Sequence, residues 1–457
     1  MTVSEDLAHS VAHPSVGISE LVIRAGALED LAAVVRRMHG GGTVAVLVDA
    51  LMYLDRTGAD VKRAALDALA EFDTHTVVLA GAVHADEATV DLASAGCAAA
   101  SVVVTVGSGT LSDIGKVAAK RAGARHVIVQ SAVSVNGFAD DQSVLLIKGV
   151  KRTSRSGWPD ALIIDSDVLV GAPVALNNSG LGDMISMFTA PADWYLSSLF
   201  GMDRGWDEDA ALLTRRHGEE LLASAAGVGR AEPEKLHLLA EFLTLSGFSM
   251  GIAGQTSPSS GMEHTVSHML DMAKGARHED TAYHGAQVAV ATAVASILWR
   301  RMSERLAAGG LDHFDILDDE RARERVFAAF GWMDEDQTTA EECWSDYYQK
   351  IAYLRSIDAG ARLRDIQENW QQHSEVLRGM IVAPERVVDA ITVAGAPARF
   401  SDLNASASPE DVYWAVAHCH LMRNRFTIAD LAFATGFWTE VEVRSVLNEA
   451  AAIGTGL

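Results

Sequence analysis

The first third of the chain repeats one pattern, and this pattern restricts the possible folds more than any other feature of the sequence. Short apolar runs rich in β-branched residues alternate with segments whose apolar residues recur at helical spacing. The apolar runs lie at residues 44–48, 76–79, 101–106 and 126–129. Strand, helix and strand at this rhythm predict a parallel sheet with right-handed crossovers and helices on both faces. Ligands of such sheets bind beyond the carboxyl ends of the strands.

The pattern changes after Pro173. Two last apolar runs, at 144–147 and 162–164, flank the polar segment KGVKRTSRSGWPD and predict a hairpin-like excursion rather than another crossover. Long helical patterns follow, with glycine stop signals at Gly180, Gly247, Gly275, Gly309 and Gly310. We therefore predict a flexible extension over 1–16, an α/β domain with a parallel sheet over 17–175, and an all-helical domain over 176–457.

Charge and cysteine content disfavour several classes of protein. Lys and Arg number 37 and Asp and Glu number 61, which gives a formal charge of −24. Nonspecific nucleic-acid binding relies on cations that neutralise phosphates, so we expect no nucleic-acid partner. The three cysteines are widely separated, which argues against a disulfide framework and a cysteine zinc cluster. We see neither a signal-peptide pattern nor an apolar stretch approaching the roughly 20 residues that cross a bilayer, and we expect a cytoplasmic protein without a membrane partner.

The segment GSGT at 107–110 connects an apolar run to the helical pattern LSDIGKVAAKR. Glycines there permit close backbone approach to a phosphate, and a helix N-terminus supplies N–H groups and a positive dipole end. The segment fits neither common phosphate-loop pattern, because Thr110 and Ser112 stand where those patterns need glycine. A pyrophosphate site and a plain tight turn both remain open. Asp49, after an earlier run, either accepts hydrogen bonds from an adenosine ribose or serves as an ordinary turn residue.

The segment SSGMEHTVSHML contains two of the sixteen histidines. The S-x-x-E pattern at 260–263 has the form of a capping box, which places His264 in the first helical turn and His268 one turn later on the same face. The positive end of the helix disfavours imidazolium and keeps His264 neutral, as a metal ligand must be. His284 opens another helical run, and Asp183 follows a glycine turn at a predicted helix start.

One carboxylate and two imidazoles suit Zn²⁺, Fe²⁺ or Ni²⁺, and three protein ligands leave a position for a substrate oxygen. Structural roles are the alternative, because histidines four residues apart are common on helices and Asp183 is also suited to capping its helix. His278 is an alternative ligand. His418 and His420, beside Cys419, have metal-like spacing, but their apolar helical surroundings favour a structural role.

Together these segments resemble the glycerol-1-phosphate dehydrogenase branch of the iron-containing alcohol dehydrogenase and dehydroquinate synthase superfamily. The similar segments are VGSGTLSDIGKVAA at 106–119, GLGD at 180–183, TAPADW at 189–194, SGMEHTVSH at 260–268, AYHG at 282–285, FGWM…EECW at 330–344 and RNRFTIADLA at 423–432. Their order and separation extend the resemblance over most of residues 40–440.

The resemblance implies an N-terminal NAD(P)-binding domain, a helical metal-binding domain and one divalent metal ion (Zn, Fe or Ni). The implied metal ligands are Asp183, His264 and His284. The implied cofactor-binding residues are Asp49 near the ribose, Gly107, Ser108, Gly109 and Thr110 at the pyrophosphate, Asp113 and Lys116 toward the nicotinamide, and Ser131 and Ser134. His268 and Asn136 are implied to act at the substrate. We expect a small hydroxylated or phosphorylated substrate and a homo-oligomer.

Two departures from the family pattern concern the substrate. Relatives read about S-M-D-G-Y-A where this chain reads SVNGFA at 134–139, so Asn136 replaces an aspartate. Met187 stands one turn after Asp183, where relatives often carry lysine or another polar residue. A phosphate would need nearby cations, and the candidates are Lys148, Lys151, Arg152, Lys274, Arg423 and Arg425.

The leading hypothesis is therefore a metal-dependent NAD(P) oxidoreductase. One alternative is an NAD-dependent sugar-phosphate cyclase or lyase resembling dehydroquinate synthase, which an aspartate rather than glutamate as first ligand disfavours. The other is a catalytically impaired relative that serves as a binding protein, which the retention of all three implied ligands disfavours.

Overall fold

The computed structural model describes residues 2–203 and 205–457. Its strands are β1 (Glu20–Arg24), β2 (Thr43–Asp49), β3 (Thr74–Leu79), β4 (Ala100–Gly107), β5 (Arg125–Gln130), β6 (Gln142–Ile147), β7 (Val150–Arg155) and β8 (Ala161–Asp165). In the described part of the chain, six of them form a parallel sheet in the order β1-β8-β5-β4-β2-β3, and β6 and β7 form a two-stranded sheet.

The helices are α1 (Val3–Val11), α2 (Leu31–Met38), α3 (Val61–Ala68), α4 (Glu87–Cys97), α5 (Gly109–Ala122), α6 (Ser166–Gly171), α7 (Val174–Ile185), α8 (Ala190–Leu199), α9 (Glu208–Arg215), α10 (Gly218–Gly229), α11 (Pro233–Ala253), α12 (Met262–Ala276), α13 (His284–Ala308), α14 (Asp319–Phe330), α15 (Thr338–Ser356), α16 (Ala359–Glu368), α17 (Trp370–Leu377), α18 (Pro384–Val393), α19 (Pro409–His418), α20 (Ile428–Ala434) and α21 (Glu440–Ala452). The predicted fold class, a parallel α/β sheet followed by helices, is confirmed.

Both faces of the parallel sheet are buried. In β2, Val44 and Val46 pack into one apolar layer, whereas Ala45 and Leu47 pack into the opposite layer. Alternate side chains enter opposite layers because a strand has a period of two, so a strand covered on both faces is continuously apolar. The parallel register then brings the carboxyl ends of β2, β4 and β5 to one edge of the sheet.

The second strand of the predicted hairpin was assigned wrongly. The partner of β6 is the polar segment β7, whereas β8 lies between β1 and β5 in the parallel sheet. The chain reverses immediately after β6 because Lys148 and Gly149 both have positive φ, 48° and 77°, as tight two-residue turns require. The apolar side chains of β8 are fully buried, as those of an internal parallel strand are.

Two glycines predicted to end helices lie inside them instead. Gly180 is within α7 and Gly247 is within α11. A Cβ atom on Gly180 would lie 1.9 Å from the carbonyl oxygen of Val133, so this glycine permits close packing of the helix on a neighbouring loop. Because α7 continues to Ile185, Asp183 lies in the last turn of that helix and not at a helix start.

The N-terminal residues, expected to be flexible, include a packed helix. Thr2 and Glu5 form a capping box at the start of α1, and Val3 and Leu7 are buried. The hydroxyl of Ser4 donates a hydrogen bond of 2.6 Å to Glu241 in α11. Burial of one apolar face explains why the segment is ordered.

Helix α11 also corrects the expectation that the chain lacks a membrane-length apolar segment. It has 21 residues and is apolar enough to span a bilayer by length and composition. The protein itself covers 72% of its most apolar window. Contacts with α1, α6 and the turn Gly137–Ala139 contribute to this burial, so α11 has the environment of a core helix.

The described residues cluster into two compact units. One comprises Met1–Ile147, Lys151–Met184 and Glu219–Gly254 and contains the parallel sheet. The other comprises Lys148–Val150, Ile185–Gly218 and Gln255–Leu457, and α12 and α13 lie in its apolar core. The domain bounds 17–175 and 176–457 stay a prediction.

Candidate metal centre

The structure brings the three implied metal ligands together. One potential ligand atom from each of Asp183, His264 and His284 lies within 4.8 Å of the other two. Asp183 and His264 are buried and His284 is half-buried. His264 lies in the first turn of α12, and His284 is the first residue of α13, as predicted. Their role as metal ligands stays a prediction.

Glu263 orients His264. Its fully buried carboxylate lies 2.9 Å from Nδ1 of His264 and accepts hydrogen bonds from the backbone N–H of Gly261 and the hydroxyl of Thr189. Burial raises the pKa of Glu263, but the hydrogen bond from His264 lowers it, and the net pKa lies below its ordinary value. Because an ionised carboxylate only accepts, Nδ1 of His264 carries the hydrogen and Nε2 keeps its lone pair for a metal.

The capping-box assignment for Glu263 was wrong. Gly261, and not Ser260, is the N-cap residue of α12, and Glu263 bonds to His264 and to neighbouring polar groups. The sequence signal for this role was present, since an acidic residue immediately precedes a candidate ligand histidine in an apolar segment.

A chain of hydrogen bonds orients His284 in the same way. The hydroxyl of Ser267 lies 3.0 Å from Nδ1 of His284 and donates its hydrogen to Oε1 of Gln287 at 2.6 Å. Nε2 of Gln287 in turn donates to Asp271 at 2.9 Å. Since the hydroxyl has one hydrogen, Ser267 accepts from His284, and the lone pair of His284 again lies on Nε2.

His268 has the opposite arrangement. It is buried, and its ring stacks on that of His284 with the centroids 5.4 Å apart. Its Nδ1 lies 2.7 Å from Nη2 of Arg423, which always donates. Nδ1 of His268 is therefore the acceptor, and the hydrogen of the neutral ring lies on Nε2.

Asp193, in the segment TAPADW, holds the start of α12 in place, a role that sequence reasoning missed. Its carboxylate accepts from the backbone N–H groups of Met262 and Ile428, both at 2.8 Å, and from the indole of Trp299. Burial, followed by the charge of Glu263, raises the pKa of Asp193 well above its ordinary value. The available signal was an acidic residue in the otherwise apolar run APADWYL.

The predicted pyrophosphate turn lies beyond the carboxyl ends of β4 and β5. Gly107 ends β4 and accepts a hydrogen bond from the backbone of Ser131, Ser108 is the N-cap residue of α5, and Thr110 is exposed. A Cβ atom on Gly109 would lie 2.7 Å from Cγ2 of Val135 and 3.7 Å from the hydroxyl oxygen of Ser134. Glycine is thus needed at position 109 for the packing of the protein itself.

Asp113 and Lys116 contact the protein itself. The fully buried ammonium of Lys116 donates to the carbonyl oxygens of Gly137 and Gln142 and to Asp140. Burial raises the pKa of Asp140 to about 6, although the charge of Lys116 acts in the opposite direction. Asp113 accepts from the backbone of Val144. These contacts fasten residues 137–144 to α5, and a role toward nicotinamide stays a prediction.

Asp49 is already bonded within the fold. Its carboxylate accepts from the ammonium of Lys62 at 2.6 Å, from the backbone of Leu51 and from the hydroxyl of Tyr53. The ribose contact stays a prediction. Because the ammonium of Lys62 compensates the charge of Asp49, this carboxylate would repel the 2′-phosphate of NADP only weakly.

Asn136 contacts a candidate ligand through its backbone. Its N–H donates to Oδ2 of Asp183 at 2.9 Å, and its side-chain amide donates to the hydroxyl of Ser246 in α11 at 3.0 Å. Met187, the second departure from the family pattern, is buried. Contact of either side chain with substrate stays a prediction.

Several remaining candidates lie in other surroundings. His278 is exposed, His418 bonds to the carbonyl of Trp414, and His420 stacks on Phe433. Among the candidate cations, Lys148 pairs with Glu342, Lys274 pairs with Glu279, and Arg425 donates to the carbonyl of Ser260. Arg423 is the candidate cation that contacts His268.

The chain is similar to known proteins in sequence and in fold. The family model for iron-containing alcohol dehydrogenases matches residues 22–173. The glycerol-1-phosphate dehydrogenase [NAD(P)+] of Pyrococcus furiosus is 30% identical over 260 residues, which cover 55% of this chain and 72% of that protein. The enzyme of that name from Bacillus velezensis is 31% identical over 231 residues, covering 50% and 58%. The one from Hyperthermus butylicus is 34% identical over 216 residues, covering 46% and 60%.

The matches to the last two relatives thus span less than two thirds of their lengths. Among solved structures, a probable glycerol dehydrogenase from Sinorhizobium meliloti 1021 aligns with a TM-score of 0.59 at 17% identity, covering 95% of this chain and 97% of that one. The glycerol dehydrogenase from Schizosaccharomyces pombe aligns with a TM-score of 0.55 at 15% identity, covering 95% and 92%. At this level of identity the two structures show a shared fold.

Proposed function

Because this chain belongs to the glycerol-1-phosphate dehydrogenase branch of the iron-containing alcohol dehydrogenase family, we propose that it is a metal-dependent NAD(P) oxidoreductase. It transfers a hydride between nicotinamide and a small hydroxylated or phosphorylated substrate. The observation that carries the proposal is the cluster of Asp183, His264 and His284, with one potential ligand atom of each within 4.8 Å of the others.

The donor set fits a divalent transition metal. One carboxylate and two imidazoles would hold the ion, and the partners of Nδ1 on both histidines leave Nε2 as the ligand atom. The turn at 107–110 fits a dinucleotide pyrophosphate, because helix α5 begins there beyond the sheet edge and its first turn includes the exposed Thr110.

When bound, the metal supplies stabilisation of negative charge on the substrate oxygen, and the dinucleotide supplies the hydride. The chain's own residues prepare the site. Glu263 and Ser267 accept hydrogen bonds from Nδ1 of the two imidazoles and so keep the lone pair of each ring on Nε2, and the backbone N–H of Asn136 holds one oxygen of Asp183. His268 presents an N–H group beside them. Preorganised donors of this kind need little reorganisation during reaction.

The test combines metal analysis with substrate turnover. Wild-type protein should contain about one divalent metal per chain and should oxidise NADH or NADPH in the presence of dihydroxyacetone phosphate or a related ketone. His264→Ala should remain folded by circular dichroism and lose the metal and the activity. His278→Ala is the matched control, since this exposed histidine lies outside the cluster, and it should retain both.

Three outcomes would contradict the proposal. Full metal occupancy in His264→Ala would remove that residue from the site. Metal-dependent release of a cyclised product without net oxidation of reduced cofactor would favour the lyase alternative. A wild-type protein that binds the metal and turns over none of the ketones would favour the impaired binding relative.

The substrate is further restricted by Asn136, which is uncharged where relatives carry an aspartate. An amide both donates and accepts, so we propose a substrate other than plain glycerol 1-phosphate, with an oxygen-rich or anionic group that a carboxylate would repel. Asn136→Asp should change the ratio of kcat/KM among hydroxy substrates while metal content and NADH binding stay unchanged. Glycerol 1-phosphate as the best substrate of both proteins would show that the replacement of aspartate by Asn136 is neutral.

We also propose that the protein forms a homo-oligomer, and light scattering measures its molecular mass in solution.

A further inference from the structure

We propose that Arg423 is a positioning residue that fixes His268 as a hydrogen-bond donor toward the substrate and keeps its ring out of the metal's ligand set. The proposal rests on the proposed function, because it presumes a metal ion held by Asp183, His264 and His284. Its own observations are the 2.7 Å contact from Arg423 to His268 and the stacking of His268 on His284.

The direction of the contact follows from chemistry. A guanidinium has only donors, so Nδ1 of His268 accepts the hydrogen bond from Arg423. A neutral imidazole that accepts at Nδ1 carries its hydrogen on Nε2. His264 and His284 show the reverse, because their Nδ1 atoms donate to Glu263 and Ser267. Three neighbouring imidazoles are therefore divided by tautomer into two metal-ligand candidates and one donor.

This division matters because the three rings are close together. The ring centroid of His268 lies 5.4 Å from that of His284 and 6.3 Å from that of His264. His268 lies outside the group whose potential ligand atoms are within 4.8 Å of one another, but a ring that turned an Nε2 lone pair toward the metal would be a competing ligand. Arg423 prevents this by holding the single lone pair of the neutral ring at Nδ1, so a position remains for substrate.

The segment that carries Arg423 is anchored. Two residues later, Arg425 donates to the hydroxyl of Thr256 and to the carbonyl oxygen of Ser260, just before α12 begins. The backbone of Ile428 donates to Asp193, whose carboxylate also holds the N-terminus of α12. Helix α12 carries His268, so these bonds hold the guanidinium and the imidazole in a fixed relation.

The test reads the tautomer directly. In zinc-loaded protein labelled with ¹⁵N-histidine, the imidazole nitrogen shifts should place the hydrogen of His268 on Nε2, with the signal assigned from His268→Gln. Arg423→Glu replaces a donor with an acceptor and should move the hydrogen to Nδ1. The freed Nε2 lone pair should then change the visible spectrum of the cobalt-substituted protein and lower kcat by ~10–100-fold, the usual effect of losing an outer-shell partner.

Two further variants make the result specific. Arg423→Lys keeps a donor and should retain the wild-type tautomer and cobalt spectrum. Asn424→Ala, at the exposed neighbouring position, should change neither. The wild-type measurement and Arg423→Lys decide the question if Arg423→Glu fails to fold.

The failures are distinguishable. A hydrogen on Nδ1 of His268 in zinc-loaded wild type would overturn this inference and leave the proposed function intact. An unchanged tautomer in folded Arg423→Glu would do the same. Wild-type protein that binds no divalent metal would overturn both.

Discussion

Hydrogen-bond partners, more than residue type, distinguish the three histidines of the candidate site. Helix periodicity placed His264 and His268 on one face, and the family resemblance assigned both of them and His284 to one site. The sequence did not distinguish the two candidate metal ligands from the histidine that donates a hydrogen bond. That difference depends on which group lies next to the Nδ1 atom of each ring. Those groups are Glu263, Ser267 and Arg423, and the last is more than 150 residues away along the chain.

A buried neutral histidine in the sheet gives a pH-dependent prediction at the same scale. His126 in β5 lies 2.9 Å from the hydroxyl of Thr105, and burial, helped by the charge of Lys116, lowers its pKa to about 3. In the unfolded chain the imidazole of His126 has an ordinary pKa of ~6.5, so the unfolded state takes up a proton near that pH and the folded state does not. The free energy of unfolding is therefore highest above pH ~6.5 and decreases as the pH falls. This group alone should remove ~1.4 kcal/mol between about pH 7.5 and about pH 5.5.

Urea denaturation at the two pH values checks this. The pH-dependent loss should be smaller by that amount in His126→Gln than in wild type, because the variant has no imidazole to protonate. His9→Gln, at an exposed position, is the control and should behave as wild type. An equal loss in His126→Gln and wild type would show that His126 does not contribute.

Among the elements, the strands with uninterrupted apolar sequence were the easiest to predict. β2, β4 and β5 each extend one residue beyond the predicted run at both ends.

The elements that were assigned wrongly have a common cause, because their structure depends on neighbours distant in the sequence. Gly180 has the local appearance of a helix stop, but its position inside α7 is explained by contact with Val133. The short strand β1, not among the predicted runs, pairs with the distant β8.

The turn before α5 gives a prediction that separates packing from cofactor binding. Gly109→Ala should destabilise the protein, because the added Cβ atom meets Cγ2 of Val135 at 2.7 Å. Adding Val135→Ala removes that methyl group and should restore stability. If a pyrophosphate also lies against the turn, the double variant should still bind NADH at least ~10-fold more weakly than Val135→Ala, or ~1.4 kcal/mol.

Fluorescence titration with NADH and thermal unfolding of the same samples measure the two effects. Val135→Ala alone is the reference for both. Recovery of NADH affinity together with stability in the double variant would mean that glycine serves packing alone and that the pyrophosphate lies elsewhere.

For the whole molecule, the sequence predicted the order of the sheet and the helices, whereas the predicted domain bounds stay a prediction. The parallel sheet precedes the long helices as predicted, because hydrophobic periodicity reports each element separately. The compact units are discontinuous in sequence: Glu219–Gly254 clusters with the sheet-containing unit, although its helical pattern resembles that of later segments. Periodicity cannot show which core a buried helix joins, and α11 is apolar on nearly all sides.

Metal binding should raise the thermal stability of the whole chain, because the three candidate ligands come together only in the folded protein. An ion at 100 times its Kd adds ~2.7 kcal/mol to the free energy of unfolding. For a chain of 457 residues, the unfolding entropy of ~2.1 cal/mol/K per residue converts this into a rise in Tm of ~3 °C. Differential scanning calorimetry of chelator-treated protein, with and without added zinc, measures the shift.

Asp183→Asn should unfold cooperatively and show a much smaller zinc-induced rise in Tm, because the charged ligand is gone. Calcium is the control ion, since it prefers oxygen ligands over imidazole and should leave Tm unchanged. A zinc-induced shift of equal size in Asp183→Asn would locate the stabilising metal elsewhere in the chain.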